Sequence, residues 1–115
     1  MEIIDLRGQK EFSPAHHIHK TLTTTPYSEI SVVGWEPGQK SPIHCHPMAD
    51  EIYHVLEGEG LFNDGTREMT LTPGDTVIFP AGEVHTVAAL TRMVLYRVQA
   101  GGDRSAKALD AWPTR

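Results

Sequence analysis

Four side chains in the middle of this chain, His44, His46, Glu51 and His85, are of the types that ligate transition metals. Three neutral imidazoles and one carboxylate suit a divalent first-row ion and leave further coordination positions for water or substrate. The first three lie in a run reading Gly38-x5-His44-x-His46-x4-Glu51-x6-Gly58. The fourth lies in Gly74-x5-Pro80-x-Gly82-x2-His85. One histidine alone is usually packed or solvated. Four ligand types at these intervals, flanked by glycines and prolines, point instead to one metal site.

For these residues to meet, the chain must reverse direction several times, and its punctuation provides for that. β-branched and aromatic runs at 30–35, 43–46, 51–56, 61–62, 67–71, 76–79, 84–89 and 93–98 are separated by glycine and proline. Asn63-Asp64-Gly65 is a hairpin signal. Short strands with turns this regular predict an all-β sandwich or barrel. Residues 105–111, with Ser105 as N-cap, are the one stretch expected to form a short helix. Residues 1–29 read as an N-terminal arm with the first strands, 30–100 as the barrel and 101–115 as a C-terminal tail.

Strand alternation assigns faces. Residues i and i+2 point the same way about 6.6 Å apart, so His44 and His46 can lean toward one ion while Cys45 points away as a buried small hydrophobe. Tyr53 and Val55 share the face of Glu51, whereas Ile52, His54 and Leu56 point oppositely. Tyr53 is therefore the candidate catalytic hydroxyl, its competing role being a packed aromatic. His54 is expected in the core or at a dimer interface. Trp35, Phe62, Phe79 and Met93 are expected to pack the core, and Arg92 and Arg97, on opposite faces of the last strand, to be solvated charges. The alternative for one of these arginines is an inward position facing a substrate carboxylate. In His16-His17-x-His19, His17 and His19 share a face; with no carboxylate at a sensible spacing they are expected at the barrel mouth or surface.

Composition narrows the function classes. The 115 residues suit one domain, and a formal net charge of −5 without a basic run argues against nucleic acid. No apolar stretch is long enough to span a bilayer. A single cysteine and no apolar leader make a reducing cytoplasm the expectation.

The two runs resemble the paired motifs of the cupin superfamily. The first is matched at Gly38, His44, His46, Glu51 and Gly58, the second at Gly74, Pro80, Gly82 and His85, with Ala89 where an asparagine is usual. The resemblance implies a single-domain cupin-type jelly-roll β-barrel, ligation of a metal by His44, His46, Glu51 and His85, and homodimers. It does not imply one reaction. The ion expected is one of Mn, Fe, Co, Ni, Cu or Zn, and the ligand a small molecule. The expected activity is that of a metal-dependent enzyme on a small hydroxy, keto or carboxylate compound, by oxygenation or by Lewis-acid isomerisation, cyclisation or lyase chemistry. The rival is a non-catalytic small-molecule or metal-binding module. Because histidine must be neutral to bind, metal affinity is expected to fall below about pH 6.5.

Overall fold

Short β-branched runs interrupted by glycine and proline leave no room for a helix. A computed structural model describes residues 1–114, and these contain ten strands and no helix. They are β1 (Ile18–Thr25), β2 (Ser28–Trp35), β3 (His44–Cys45), β4 (Asp50–Glu57), β5 (Gly60–Asn63), β6 (Glu68–Leu71), β7 (Thr76–Phe79), β8 (Thr86–Ala89), β9 (Met93–Ala100) and β10 (Lys107–Ala108). One antiparallel sheet has the order β1-β2-β9-β4-β7, and a second has the order β6-β5-β8. Backbone hydrogen bonds from Gly38 to Ala89 and from Ser41 to Val87, and the bridge between His44 and His85, lay the 38–45 segment along β8. Strand β10 then pairs with β3. Side chains from both sheets fill one core, including Trp35, Val55, Phe62, Val87 and Leu95. This is the all-β jelly-roll arrangement expected.

Register positions the site. Across β2, β9, β4 and β7 the successive partners are Glu29, Gln99, Glu51 and Phe79, then Ser31, Arg97, Tyr53 and Val77. The next rows are Val33, Leu95 and Val55, followed by Trp35 and Met93. The inner face thus grades from polar at one end to apolar at the other. On β4 the alternation runs as expected: Glu51, Tyr53 and Val55 are buried, while Ile52, His54 and Leu56 are only half-buried. The outward-facing Val32 and Val94 are nonetheless buried. The N-terminal arm borders them at Leu6, and Lys10 of that arm pairs with Glu57.

The helix expected over 105–111 does not form. Lys107 and Ala108 pair instead with Cys45 and His44, and the Leu109 amide donates to the Ile43 carbonyl. A seven-residue helix is marginal alone, whereas the open edge of β3 offers ready hydrogen bonds. Ser105 caps nothing; its hydroxyl and amide both donate to the Asp103 carboxylate. Among the described residues no helix is long and apolar enough to cross a membrane.

Gly34 and Gly58 are among the glycines required by close backbone approach. A β-carbon on Gly34 would strike the Glu11 carbonyl, where the arm passes over β2. Gly58 turns the chain from β4 to β5 with φ +74°, and its β-carbon would lie 2.9 Å from Met93 Cα and strike the Arg92 carbonyl. Gly58→Ala is therefore expected to destabilise the fold by about 2 kcal/mol or more. Urea unfolding should show a lower midpoint at unchanged slope; an unchanged midpoint would refute the close approach.

Candidate metal centre

The four candidate ligands come from three stretches of chain. His44 opens β3, His46 follows it, Glu51 is on β4, and His85 precedes β8. His44 and His85 face each other in an isolated bridge, with backbone hydrogen bonds of 3.3 and 2.9 Å in the two directions. One donor atom from each of the four residues lies within 4.8 Å of every other, so the group can hold a metal ion.

Backbone carbonyls set two of the tautomers. Nδ1 of His44 lies 2.7 Å from the Pro42 carbonyl and that of His85 2.9 Å from Glu83. A carbonyl only accepts, so each of these Nδ1 atoms carries a hydrogen and the neutral ring presents a lone pair at Nε2. Nδ1 of His46 lies between an acceptor, the Arg104 carbonyl at 3.2 Å, and a donor, the Gln99 amide nitrogen at 3.0 Å, so its tautomer is not set in this way. Yet Nε2 of His46 lies 2.6 Å from Glu51 Oε2, and Nε2 of His85 3.0 Å from Glu51 Oε1. A lone pair facing a carboxylate at that range needs a positive charge between them. Protons on the rings supply it one residue at a time; a single divalent ion supplies it to all the donors together. The donor set therefore fits a transition metal.

Glu51 is fully buried. Burial pushes its carboxyl up, but the hydrogen bonds that His46 and His85 donate when protonated at Nε2 and the charge of Arg97 outweigh that, and the net shift is far downward. Arg97 and Gln99 donate to its Oε2 at 2.9 and 3.1 Å. Arg97 is the correction to the solvated charge expected. It is only 6% exposed because β9 turns it inward with Leu95 and Gln99, and Glu29 lies 3.5 Å from its other nitrogen. The alternation of β9 carried that signal. The residue's usual preference for solvent hid it. Arg92 behaves as expected, exposed and paired with Glu36.

Beside the ligands is a pocket of about 130 Å³, lined among others by His17, His19, Trp35, Tyr53 and Arg97. Larger concavities of about 430 and 400 Å³ lie elsewhere and include none of the four ligands. Drug-sized ligands occupy roughly 300 Å³ or more, so this pocket suits a molecule of a few heavy atoms. Tyr53 lies inward as alternation required. Burial, with the Glu51 charge, raises its hydroxyl pKa well above 10, so it stays a phenol and a donor. His17 and His19 reach the mouth through the pairing of β1 with β2. Cys45 is buried and does not line the pocket. His54 faces outward and bonds Thr76 Oγ1 at 2.7 Å.

The Cupin domain family model matches residues 31–109. The chain belongs to the cupin family. It is 30% identical over 86 residues to an oxalate-binding protein of Thermotoga maritima, spanning 74% of this chain and 71% of that one. Germin-like protein subfamily 2 member 2 of Arabidopsis thaliana is 38% identical over 61 residues, but this cupin spans only 28% of its length. Among solved structures, a double-stranded beta-helix protein from Klebsiella pneumoniae superposes with a TM-score of 0.85 at 22% identity, over 96% of this chain and 99% of that one. A protein of Thermus thermophilus does so with a TM-score of 0.81 at 29% identity, over 88% and 98%.

Three histidines partly withdrawn from water make stability pH-dependent. Burial lowers the pKa of His17, His19 and His44, with smaller contributions from neighbouring cations and imidazoles. The unfolded chain takes up protons at about pH 6.5 where the folded one does not. Stability of the metal-free protein is thus full above that pH and falls as pH drops through it toward the folded values. The urea midpoint at pH 5.5 should lie below that at pH 7.5; equal midpoints would contradict the burial of these rings.

Proposed function

We propose that His44, His46 and His85, through Nε2, and Glu51, through its carboxylate, hold one divalent transition metal ion on which the protein acts on a small oxygenated acid. The carrying observation is the aim of two imidazoles, one of them fixed by a backbone carbonyl, at a buried carboxylate. When bound, the ion supplies Lewis-acid polarisation of a coordinated oxygen or a relay to dioxygen. The protein's own residues do the rest. Arg97 and Gln99 hold the Glu51 carboxylate in place. Trp35, Val33 and Pro42 wall the pocket against water. Tyr53, kept as a phenol, is the catalytic candidate, donating a hydrogen bond to a ligand oxygen.

A short carboxylate is supported by the small pocket and by charge. A divalent ion and Arg97, set against Glu51 and Glu29, leave the site one positive charge in excess. The oxalate-binding relative supports the same ligand class. It also favours a second reading, a binding module without turnover. Turnover assays of metal-loaded protein with small hydroxy and keto acids, under air and under nitrogen, separate the two. Oxygen-dependent loss of substrate supports oxygenation, oxygen-independent conversion supports Lewis-acid chemistry, and binding without conversion supports the module. For the metal itself, His44→Ala should lower affinity by more than the roughly 10–100-fold that follows loss of an outer hydrogen-bond partner. Elemental analysis finding undiminished metal in that variant would sink the ligand assignment.

We also propose that a second copy of the chain covers the outer face of the five-stranded sheet. Val98, Ile52 and Ile78 are register partners there, and Ile78 is 59% exposed. A contiguous apolar row on a sheet face is ordinarily covered. Ile52→Glu with Ile78→Glu should convert a dimer to a monomer in sedimentation velocity, leaving metal content unchanged. A wild-type protein that sediments as a monomer at high concentration would overturn it.

A further inference from the structure

The pocket beside the metal centre is walled on one side by β1, which precedes the start of the family match at residue 31. Most polar atoms around this pocket are already engaged. Ser41 Oγ accepts from the Val87 amide, and the Nδ1 atoms of His44 and His46 face carbonyls. Arg97 gives one terminal nitrogen to His19 Nε2 at 3.0 Å and the other to Glu51. The Trp35 Nε1 and Arg97 Nε atoms have no partner, but both are sealed from solvent and so from an incoming ligand.

His17 differs from all of these. It is half-buried and lines the pocket, and neither of its ring nitrogens has a hydrogen-bond partner among the described residues. Its ring lies flat on Trp35, with centroids 4.1 Å apart and planes 13° from parallel. A face-to-face stack uses the face of the imidazole and leaves its nitrogen-bearing edge free to bond. The stack also fixes the ring, so little side-chain freedom remains to be lost when a ligand arrives. A neutral imidazole offers one donor and one acceptor.

We propose that His17 contacts the uncoordinated end of the ligand, and that the ligand is a short acid carrying a second oxygen-bearing group for it to bond. This rests on the reading of His44, His46, Glu51 and His85 as a metal site. It makes the segment leading into β1, outside the family match, the element that selects among small acids. A monofunctional acid would reach the metal but leave His17 unused.

The test uses full-length protein loaded with Co(II), with oxalate and acetate as probes and calorimetry as the readout. His17→Phe keeps the stack and removes both nitrogens; His17→Leu is a second nitrogen-free variant should the first fold poorly. Oxalate affinity is expected to fall about tenfold or more in these variants, the loss typical of one hydrogen bond to a charged group. Acetate affinity should stay within about twofold and cobalt content should be unchanged, while His17→Gln, which restores a donor and an acceptor, recovers part of the loss. Equal weakening of oxalate and acetate, or oxalate affinity unchanged with cobalt bound, overturns the role of His17. Cobalt-loaded wild type that does not bind oxalate overturns it as well. Wild type that fails to take up cobalt defeats the metal reading first, and this inference with it.

Discussion

A carboxylate removed from water has to be compensated, and Glu51 is the group on which the rest of this molecule depends. It is fully buried, and an uncompensated charge in that position would cost several kcal/mol even after relaxation. The groups that meet it come from far apart in the chain. His46 arrives after β3, His85 before β8, and Arg97 and Gln99 from β9. Arg97 and Gln99 reach Glu51 within the five-stranded sheet, whereas His46 and His85 reach it only when the 38–45 segment and the second sheet close over that sheet. Completion of the site therefore requires closure of the barrel. Arg97 carries the demand one step further, since its second terminal nitrogen is met by His19 of β1 and Glu29 of β2.

The fold manages this by separating its two tasks along the strands. At one end of the inner face, Trp35, Met93, Leu95 and Val55 form an apolar core of ordinary kind. At the other, Glu29, Gln99, Glu51 and Arg97 form a polar layer whose members satisfy one another. The apolar end supplies the stability from which the polar end draws. The C-terminal segment belongs to the polar end as well. Arg104 brings its carbonyl to 3.2 Å from His46 Nδ1, and β10 closes the edge of β3 beside it.

Floor and wall of the pocket have different standing. The floor, His44, His46, Glu51 and His85, lies within the family match and is a group able to hold a metal ion. The wall includes His19 of β1 and His17 just before it, neither of which the match reaches. A family can keep its metal chemistry in the first and vary its choice of ligand through the second.

The sequence by itself determined what depends on local period. Spacing brought the four ligands into view, and the two-residue alternation placed Tyr53 inward and Cys45 and His54 elsewhere, because a strand leaves each side chain only two directions. What only the tertiary structure decided was who would stand opposite. Arg97 reads as a solvated charge until Glu29 and Glu51 are seen on the neighbouring strands. Residues 105–111 read as a short helix until the unfilled edge of β3 is present to compete for their backbone. His17 and His19 read as an isolated cluster until the pairing of β1 with β2 carries them to the pocket. In the first two cases the deciding partner lies tens of residues away, and in the third the β1–β2 hairpin must itself be seated along β9. Strand register is a non-local choice, and no local pattern encodes it.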